Sequence, residues 1–336
     1  MNLYWAIYEN LENETLNIAD NIFFDDNQLK VYSLNIANLI IRCAIEIEAI
    51  SKELYCRLGG ALELIDKKTK ETRPPFFDTE CLALINDQWK VNLKELQISS
   101  IKMNFSHDKA ILKPLHKSDK RGKSGSKWKQ AYQAIKHDRA NNLKVSTVEN
   151  LLNALGALYI LNQYYKEESF WSDVPIEGKD AYTPQSKIFS PFIFDVSTHL
   201  SLNPSYLPDE KSLYVKKYTD DIAIKFMDLM YQYNFSLWTE TVSSEQFFRY
   251  MQENPMNVAK IDVQFMQALG LDINSLLKNF KASNISLPAD FYRHKELVLN
   301  KNQPIYPERT LEDFYKTPIA KKMLEDAILA FTQRIK

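Results

Sequence analysis

The clearest pattern in the chain is a run of apolar positions that recur every three or four residues between residues 35 and 58. Seven residues follow this spacing: Ile36, Ile40, Cys43, Ile47, Ile50, Leu54 and Leu58. Such a period brings side chains to one face of an α-helix. Gly59 and Gly60 follow the run, and glycine commonly ends a helix because it enters a left-handed conformation at low cost. The pattern therefore predicts a long amphipathic helix over residues 35–58.

Three more segments in the first half have a helical pattern. One begins at Asp78, a residue type that caps helix N-termini, and continues to Trp89. In the next, WKQAYQAIKHDR, three residues share one face: Trp128, Tyr132 and Ile135. The last opens with the capping-box pattern STVE at residues 146–149 and continues into a leucine-rich run. Four helices with apolar stripes within about 170 residues predict an up-down helical bundle.

The second half begins with a break in the pattern. The polar stretch SDVPIEGKDAYTPQS contains two prolines and is typical of a linker. Beyond it, residues 188–196 predict a short strand, which Pro191 confines to a sheet edge because proline donates no ladder hydrogen bond. Four later segments have a helical pattern: residues 218–235, 245–251, 258–280 and 318–335. We therefore expect an all-α fold, with a bundle over residues 1–170 and a mostly helical region over residues 171–336 that contains at most a few short strands.

Composition supports the helical prediction and narrows the class of protein. The chain has 7 glycines in 336 residues, few for a strand-rich fold, whose turns use glycine. Cys43, Cys56 and Cys81 have no CxxC spacing and predict neither a disulfide framework nor a zinc site. The first residues lack the basic and apolar regions of a signal peptide, and charged residues interrupt the longest apolar run. We therefore expect a cytoplasmic protein without a membrane span.

The charge of the chain is unevenly distributed. Residues 113–144, the basic segment, contain ten basic and two acidic side chains and carry a charge of +8. The whole chain has a net charge of −1, so the remainder carries −9. A glycine-containing basic loop beside aromatic residues is suited to follow a phosphate backbone, but a solvated surface loop has the same composition. The first interpretation gives five nucleic-acid-binding candidates: Lys120, Arg121, Lys123, Lys127 and Lys129.

The helix within the basic segment carries a short motif. Five residues define it in the spacing W-x3-Y-x3-KH-x-R: Trp128, Tyr132, Lys136, His137 and Arg139. Together with the leucine-rich helix after it, and with Arg42 and Glu46 in the first helix, the motif resembles HEPN-type helical domains. It is similar in particular to bacterial members with a W-x3-YN-x2-KH-x-R pattern. The resemblance covers about residues 30–168.

This resemblance implies a bundle of four or five helices, frequent homodimerisation and, in active members, RNA cleavage within toxin–antitoxin or phage-defence systems. It marks three residues of this chain as a site: Lys136, His137 and Arg139. The chain departs from the pattern at Gln133, where the family has Asn. It also lacks the nucleolytic motif in which His follows Arg after four to six residues, which argues against metal-independent ribonuclease activity.

Helix geometry sets a condition on this site. Successive residues of a straight helix turn by about 100°, so His137 and Arg139 would point about 200° apart. His137 and Arg139 can therefore contact the same phosphate only if the helix ends near Asp138, or if a second subunit supplies one of the two side chains. A structural role is the alternative, in which Arg139 or Lys136 pairs with Glu46 on the first helix.

Arg42 and Glu46 lie one helical turn apart on the first helix, where apolar residues dominate. The pair is therefore expected at a seam of the bundle, either as a polar staple or beside a functional cleft. If Arg139 also contacts this pair, we expect shifted pKa values in the resulting cluster of Arg42, Glu46 and Arg139. Trp128 and Tyr132 support the site from the same helix as Arg139.

Two functional hypotheses follow from these residues. In the first, an HEPN-like homodimer binds RNA or another polyanion through the basic segment and cleaves RNA, with His137 as general acid or base and Lys136 or Arg139 holding phosphate. In the second, the bundle is a non-catalytic scaffold and the C-terminal half is a protein-interaction module. The sequence has no nucleotide-loop or metal-ligand motif, so neither hypothesis includes a cofactor or a metal.

Overall fold

The chain is mostly α-helical, as its apolar pattern predicts. The computed structural model describes residues 3–66, 68–167, 170–171, 186–196, 207–254, 263–272, 287 and 289–335. A π-helix, Phe77–Leu82, leads directly into the third α-helix. The α-helices within these residues are α1 (Leu3–Asn21), α2 (Leu34–Arg57), α3 (Ala83–Trp89), α4 (His107–Ala110), α5 (Lys127–His137), α6 (Arg139–Asn142), α7 (Val148–Lys166), α8 (Asp220–Val242), α9 (Glu245–Glu253), α10 (Val263–Ala268), α11 (Leu311–Tyr315) and α12 (Pro318–Ile335).

Short strands connect the helices and form small sheets. The strands are β1 (Phe24–Asp25), β2 (Leu64–Ile65), β3 (Thr72–Arg73), β4 (Leu96–Ile98), β5 (Met103–Asn104), β6 (Ile111–Leu112), β7 (Phe170–Trp171), β8 (Phe189–Pro191), β9 (Ile193–Asp195), β10 (Tyr214–Tyr218) and β11 (Lys295–Leu299). In the described residues the sheet orders are β1-β5, β2-β3, β6-β4-β8 and β7-β11-β10-β9. β1 pairs with β5, and β9 with β10, in parallel, whereas β4 is antiparallel to both of its neighbours.

The strands of the first half correct the sequence analysis, which expects strands only beyond residue 170. β1 to β6 all precede that position. They lie in the long connections between helices, where pairing satisfies backbone N–H and C=O groups that no helix uses. Each is two or three residues long, too short to produce an alternating hydrophobic pattern.

Helix α2 forms the centre of the main core. Its bounds confirm the prediction from residues 35–58, and its buried face carries the residues of the apolar repeat, among them Ile40, Cys43 and Ile47. Helices α1, α5 and α7 pack against it. Helix α7 is buried over most of its length, from Leu151 to Tyr164. Each large apolar side chain removed from water in this way contributes about 1.5–3 kcal/mol.

Helix α1 has a buried face with helical spacing, but apolar periodicity does not predict it. That face contains Glu12 and Thr15 beside Tyr8 and Leu11. Glu12 is 1% exposed. Its carboxylate accepts hydrogen bonds from the Tyr8 hydroxyl at 2.8 Å and from the Lys187 backbone N–H at 2.9 Å. These bonds satisfy a buried charge and join α1 to the segment that leads into β8.

Two predicted helix starts are shifted in the structure. Asp78 is the second residue of the π-helix, which begins at Phe77, so its predicted role as an N-cap is wrong. Its carboxylate is buried and has other partners, given below. At the start of α7 the capping residue is Thr147, one position after the predicted Ser146. The Thr147 hydroxyl accepts from the Asn150 backbone N–H at 3.3 Å.

The predicted strand at residues 188–196 divides into β8 and β9. These two strands belong to different sheets. β8 is the edge strand of the β6-β4-β8 sheet and contains Pro191, which lies opposite Leu96 of β4. The edge position that Pro191 predicts is therefore confirmed.

The described residues divide into two compact units. The first comprises those up to residue 196 together with residues 207–217 and 295–305, and the second those of residues 218–294 and 306–335. The first unit therefore extends past residue 170 and includes β11, which the sequence analysis assigns to the C-terminal region. The candidate site lies wholly in the first unit.

The second unit contains helices α8 to α12. Helices α8, α9 and α12 correspond to the predictions at residues 218–235, 245–251 and 318–335. Helix α10 falls within the predicted helix at residues 258–280, part of which lies outside the described residues. Arg309 pairs with Asp228 at 2.9 Å. A small apolar cluster in this unit consists of Leu237, Met266 and Leu271.

Candidate nucleic-acid interface

One buried carboxylate binds two cations of the basic segment. Asp78 accepts from the Arg121 guanidinium at 2.8 Å and from the Lys129 ammonium at 3.2 Å. The Lys129 side chain is 5% exposed, and it also donates to the backbone carbonyls of Ser118, at 2.7 Å, and Lys120. Lys129 therefore has no surface that a phosphate can reach, and we withdraw it from the nucleic-acid-binding candidates. Arg121 has a structural partner that the sequence analysis does not foresee.

Burial and charge pairing act in opposite directions on this cluster. Burial raises the pKa of Asp78, but the hydrogen bond from Arg121 and the charge of Lys129 outweigh it and hold the pKa below its usual range. Burial lowers the pKa of Lys129, and the attraction of Asp78 offsets that effect only in part. The cluster is a structural ion network, of a kind that costs about 3–5 kcal/mol to break by removing one partner.

Three more cations of the basic segment, all with exposed side chains, pair with carboxylates. The pairs and their N–O distances are Lys113–Glu95 at 2.8 Å, Lys120–Asp119 at 2.9 Å and Lys127–Glu149 at 3.5 Å. Asp78, Glu95 and Glu149 all come from outside the segment, and Glu95 also pairs at 3.6 Å with Lys211, a further cation from outside it. Counting these three acids and Lys211 lowers the local charge from +8 to +6. Lys123, the fifth candidate, is exposed and forms no ion pair within the described part of the chain.

Helix α5 ends and helix α6 begins within residues 136–144, which we term the α5–α6 corner. Helix α5 ends at His137, and Asp138 has φ −151° and ψ 79°, outside the helical region. The Asp138 side chain then caps α6 by accepting from the Asn141 backbone N–H at 3.3 Å. His137 and Arg139 thus belong to different helices, as the condition set by helix geometry requires. The His137 imidazole is exposed and makes no hydrogen bond or ion pair with the described residues.

The cations of the corner form no ion pair in the described chain. Lys136 donates to the Tyr132 hydroxyl at 3.2 Å, and this hydrogen bond, together with the nearby charge of Glu48, raises the pKa of Lys136. Arg139 donates to the side-chain oxygen of Asn38 at 3.2 Å. Lys144 is exposed and unpaired among the described residues. These charges are therefore open to an external anion.

Trp128 and Tyr132 anchor α5 in the core beneath the corner. Trp128 is 1% exposed, and its indole N–H donates to a backbone carbonyl at 2.8 Å. Burial raises the pKa of Tyr132, and the charge of Glu48 adds to the effect. Glu48, rather than Glu46, is thus the α2 carboxylate beside this aromatic ring. Both aromatic residues support the position of α5 and lie out of reach of a ligand.

Arg42 reaches across to α1 instead of pairing along its own helix. Its Nη1 atom lies 2.7 Å from each carboxylate oxygen of Glu14. Glu46 is half-buried, and burial raises its pKa more than the charge of Arg42 lowers it. Because Arg139 bonds to Asn38, the expected cluster of Arg42, Glu46 and Arg139 is replaced by one in which Glu14 supplies the carboxylate.

Arg42 and Arg139 line one open cleft, which we term the α1–α2 cleft. Its cavity volume is about 590 Å³. Leu39, Ile18 and Ile41 contribute its apolar surface. The other polar residues of the lining are Glu14, Asn17, Asn21, Asn35 and Asn38. This set of residues has no recognisable pattern in the sequence, because the asparagines of α1 and α2 come together only when the two helices pack.

No family model, curated protein or solved structure matches the chain. The geometry of the corner and the cleft therefore carries the functional argument. Within the described ranges, no three side chains of His, Cys, Asp or Glu are grouped so as to hold a metal ion. None of the helices described combines the length and the apolar character of a bilayer span.

Proposed function

We propose that the protein binds single-stranded RNA at the α5–α6 corner and cleaves it with His137 as general acid or base. The observation that supports this most strongly is the helix break at Asp138. It leaves an exposed imidazole between Lys136 and Arg139, neither of which forms an ion pair in the described chain. The motif resemblance to HEPN-type domains points to the same three residues. Because the chain lacks the family's motif of Arg followed by His after four to six residues, the catalytic assignment rests on the geometry of the corner.

The chemistry assigned to the corner is transesterification at a ribose phosphate. The 2′-hydroxyl oxygen attacks phosphorus, the bond from phosphorus to the 5′ oxygen breaks, and one proton passes from the 2′-hydroxyl to the departing 5′ oxygen. An imidazole whose unperturbed pKa is about 6.5 can accept and return that proton near neutral pH. Lys136 and Arg139 supply positive charge for the phosphate oxygens as negative charge develops. The 2′-hydroxyl makes the reaction specific for RNA.

An RNA degradation assay tests the catalytic part of this proposal. Wild type is expected to degrade single-stranded RNA, and His137→Ala is expected to be slower by about 10²–10⁴-fold, the usual contribution of general acid–base catalysis. His116→Ala is the matched control, because His116 is also exposed and lies in the same basic segment. Equal rates for wild type and His137→Ala would contradict the assignment, as would a wild type without activity.

We also propose that the protein acts as a homodimer, which the resemblance implies. Most homodimers have two-fold symmetry and bring the same surface of each subunit together. Light scattering of the purified protein is expected to give twice the 39.2 kDa mass of the chain. A mass of one chain at the concentration of the cleavage assay would contradict the dimer.

A protein-interaction module is the second candidate function. It is favoured by the exposed apolar residues of α12: Leu324, Ile328 and Leu329, which are 46–58% exposed. Under this alternative the first unit is a scaffold, and His137, which is exposed and makes no hydrogen bond or ion pair with the described residues, has no catalytic role. Wild type and His137→Ala would then both lack ribonuclease activity and have the same melting temperature.

A further inference from the structure

We infer that the α1–α2 cleft binds a phosphorylated nucleotide of the RNA strand, and that Glu14 holds Arg42 until the phosphate replaces it. This inference rests on the proposed function, since it assigns to the same ligand a second contact site next to the corner. Arg139 belongs to both sites: it is part of the corner and lines the cleft. Arg42 and Glu14 belong to the cleft alone.

The contact between Arg42 and Glu14 shows what kind of group the cleft is arranged to bind. One guanidinium nitrogen lies 2.7 Å from both carboxylate oxygens. The Nε and Nη2 atoms of Arg42 donate to no residue in the described parts of the chain. Guanidinium groups bind phosphate as well as carboxylate, and the two nitrogens that remain unused here leave donors for a phosphate. Glu14 therefore occupies a position that a phosphate can take.

The pair is also weak enough to be displaced. The side chains of Arg42 and Glu14 are 45% and 47% exposed. Ion pairs between exposed side chains contribute little to stability, because solvent screens them and the side chains lose freedom when they pair. A terminal phosphate has up to two negative charges and a phosphodiester has one, so either can compete with the single charge of Glu14. The net charge of the lining, two arginines against one glutamate, is +1 and favours entry of an anion.

The remaining surface of the cleft suits a nucleoside. The side-chain amides of Asn17 and Asn35 form no hydrogen bond with the described residues. Asparagine amides present a donor and an acceptor together and recognise the edges of bases. Leu39, Ile18 and Ile41 provide apolar area beside them. A volume of about 590 Å³ is in the usual range for small-molecule sites. Arg42 thus matches the phosphate, the asparagine amides match the edge of the base, and the apolar side chains match its face.

Calorimetric titration of the full chain with adenosine 5′-monophosphate tests the inference. Adenosine and inorganic phosphate serve as partial probes, and each is expected to bind at least about 10-fold more weakly than the nucleotide, because each lacks one part of the contact. Arg42→Gln is expected to weaken nucleotide binding by about 10-fold or more, since it removes a charge-assisted contact. Glu14→Gln is expected to tighten binding several-fold by removing the competing carboxylate.

Lys102→Gln is the matched control. Lys102 forms an exposed ion pair with Asp20 of α1 at 2.6 Å, outside the cleft lining. This variant therefore breaks a similar pair and is expected to leave nucleotide affinity unchanged. Thermal unfolding of each variant excludes loss of the fold. Unchanged affinity in Arg42→Gln, or weaker binding in Glu14→Gln, would overturn the inference.

Failure of the inference can be told apart from failure of the proposed function. If RNA binding depends on Lys136 while the mononucleotide does not bind, the corner is supported and the cleft assignment is overturned. If the mononucleotide binds through Arg42 while Lys136→Gln leaves RNA affinity unchanged, the cleft assignment is supported and the corner is not. Lys136 does not line the cleft, so the two readouts are independent.

Discussion

The two halves of the basic segment use their positive charges differently. Over residues 113–129 five of the seven cations pair with carboxylates, and one of them, Lys129, is buried. Over residues 136–144 none of the three cations forms an ion pair among the described residues, although the charge of Glu48 lies near Lys136. The longer and more basic half is therefore the less available one. Counting lysines and arginines along the sequence overestimates a phosphate-binding surface wherever the fold supplies carboxylates from elsewhere.

The carboxylates that make this difference come from distant parts of the chain. Asp78 lies 43 residues from Arg121 and 51 residues from Lys129. Local sequence patterns extend over a few helical turns, so they do not reveal such pairs. The corner, in contrast, is formed by consecutive residues around a helix break. Its members can be recognised in the sequence, although the break itself is visible only in the structure.

The largest effect is expected from removing the buried carboxylate. Asp78→Ala leaves Lys129 buried without its ion-pair partner and should lower the free energy of unfolding by about 3–5 kcal/mol. Urea denaturation measures the change. Glu149→Ala removes the surface partner of Lys127 and should cost less than about 1 kcal/mol. Equal effects of the two substitutions would remove the distinction between the buried and exposed pairs of this segment.

The same cluster predicts a loss of stability in acid. The pKa of Asp78 is lower in the folded protein than in the unfolded chain, for which about 3.9 is typical. Its contribution is therefore complete above that value and is lost as the pH falls through the folded pKa. Between about pH 5 and about pH 2, the free energy of unfolding should fall more for wild type than for Asp78→Ala. Parallel pH profiles would contradict the pairing.

Lys94 sharpens the comparison because it is a buried lysine without an ion pair in the described chain. It is 0% exposed, and its ammonium donates to the Glu210 backbone carbonyl at 3.0 Å. Burial lowers its pKa to about 7, whereas an unfolded lysine has a pKa of about 10.4. Between these values the unfolded chain binds the extra proton, so stability rises with pH.

Lys94→Met provides the measurement. The unfolding free energy of wild type should rise relative to this variant by up to about 1.4 kcal/mol for each pH unit between pH 7 and pH 10. Denaturant titrations of both proteins across this range give the difference directly. A constant difference would show that Lys94 keeps the same charge in the folded and unfolded states.

The sequence predicts best those elements whose buried faces are apolar. Helices α2 and α5 fall where the apolar repeat places them, because each buries a continuous stripe. Helix α1 is not predicted by the same pattern, since its buried face includes the polar residues Glu12 and Thr15. Glu12 bonds to the Ile188 backbone N–H, far along the chain, and Thr15 donates to the Leu11 carbonyl of its own helix. The short strands are likewise determined by pairing between distant segments.

The candidate site follows the same rule. His137 and Arg139 stand out as consecutive members of a motif, and the structure places them at an exposed corner. The predicted partner Glu46 is replaced by Glu14, a residue from α1 that no spacing within α2 reveals. The asparagines of the α1–α2 cleft cannot be predicted as a site either, since isolated asparagines on two helices have no distinctive sequence pattern.

The smallest effects are expected from the exposed pairs of the loop half. Lys120→Gln and Lys127→Gln each remove a cation whose side chain is 61% or 80% exposed. Each should change the unfolding free energy by less than about 0.5 kcal/mol, because exposed ion pairs are screened. Thermal unfolding in low salt gives the most sensitive test. A loss comparable to that of Asp78→Ala would show that these surface pairs also hold the loop in place.

The central claim is that RNA contacts the corner rather than the loop, and two triple variants with equal charge change test it directly. One is Lys136→Gln with Arg139→Gln and Lys144→Gln, and the other is Lys113→Gln with Lys120→Gln and Lys127→Gln. Fluorescence anisotropy with a single-stranded RNA is measured over a range of salt. Each lost phosphate contact should reduce the slope of log affinity against log salt by about 0.7.

The corner variant is expected to lose a slope of about 2 and most of its affinity, as the loss of three phosphate contacts requires. The loop variant is expected to keep nearly the slope of wild type, because a carboxylate lies within 3.5 Å of each of its three lysines and offsets the attraction for a phosphate. The Arg42–Glu14 pair differs from these, since Arg139 adds a second positive charge beside it. Equal losses in the two variants, or a larger loss in the loop variant, would contradict the assignment of RNA to the α5–α6 corner.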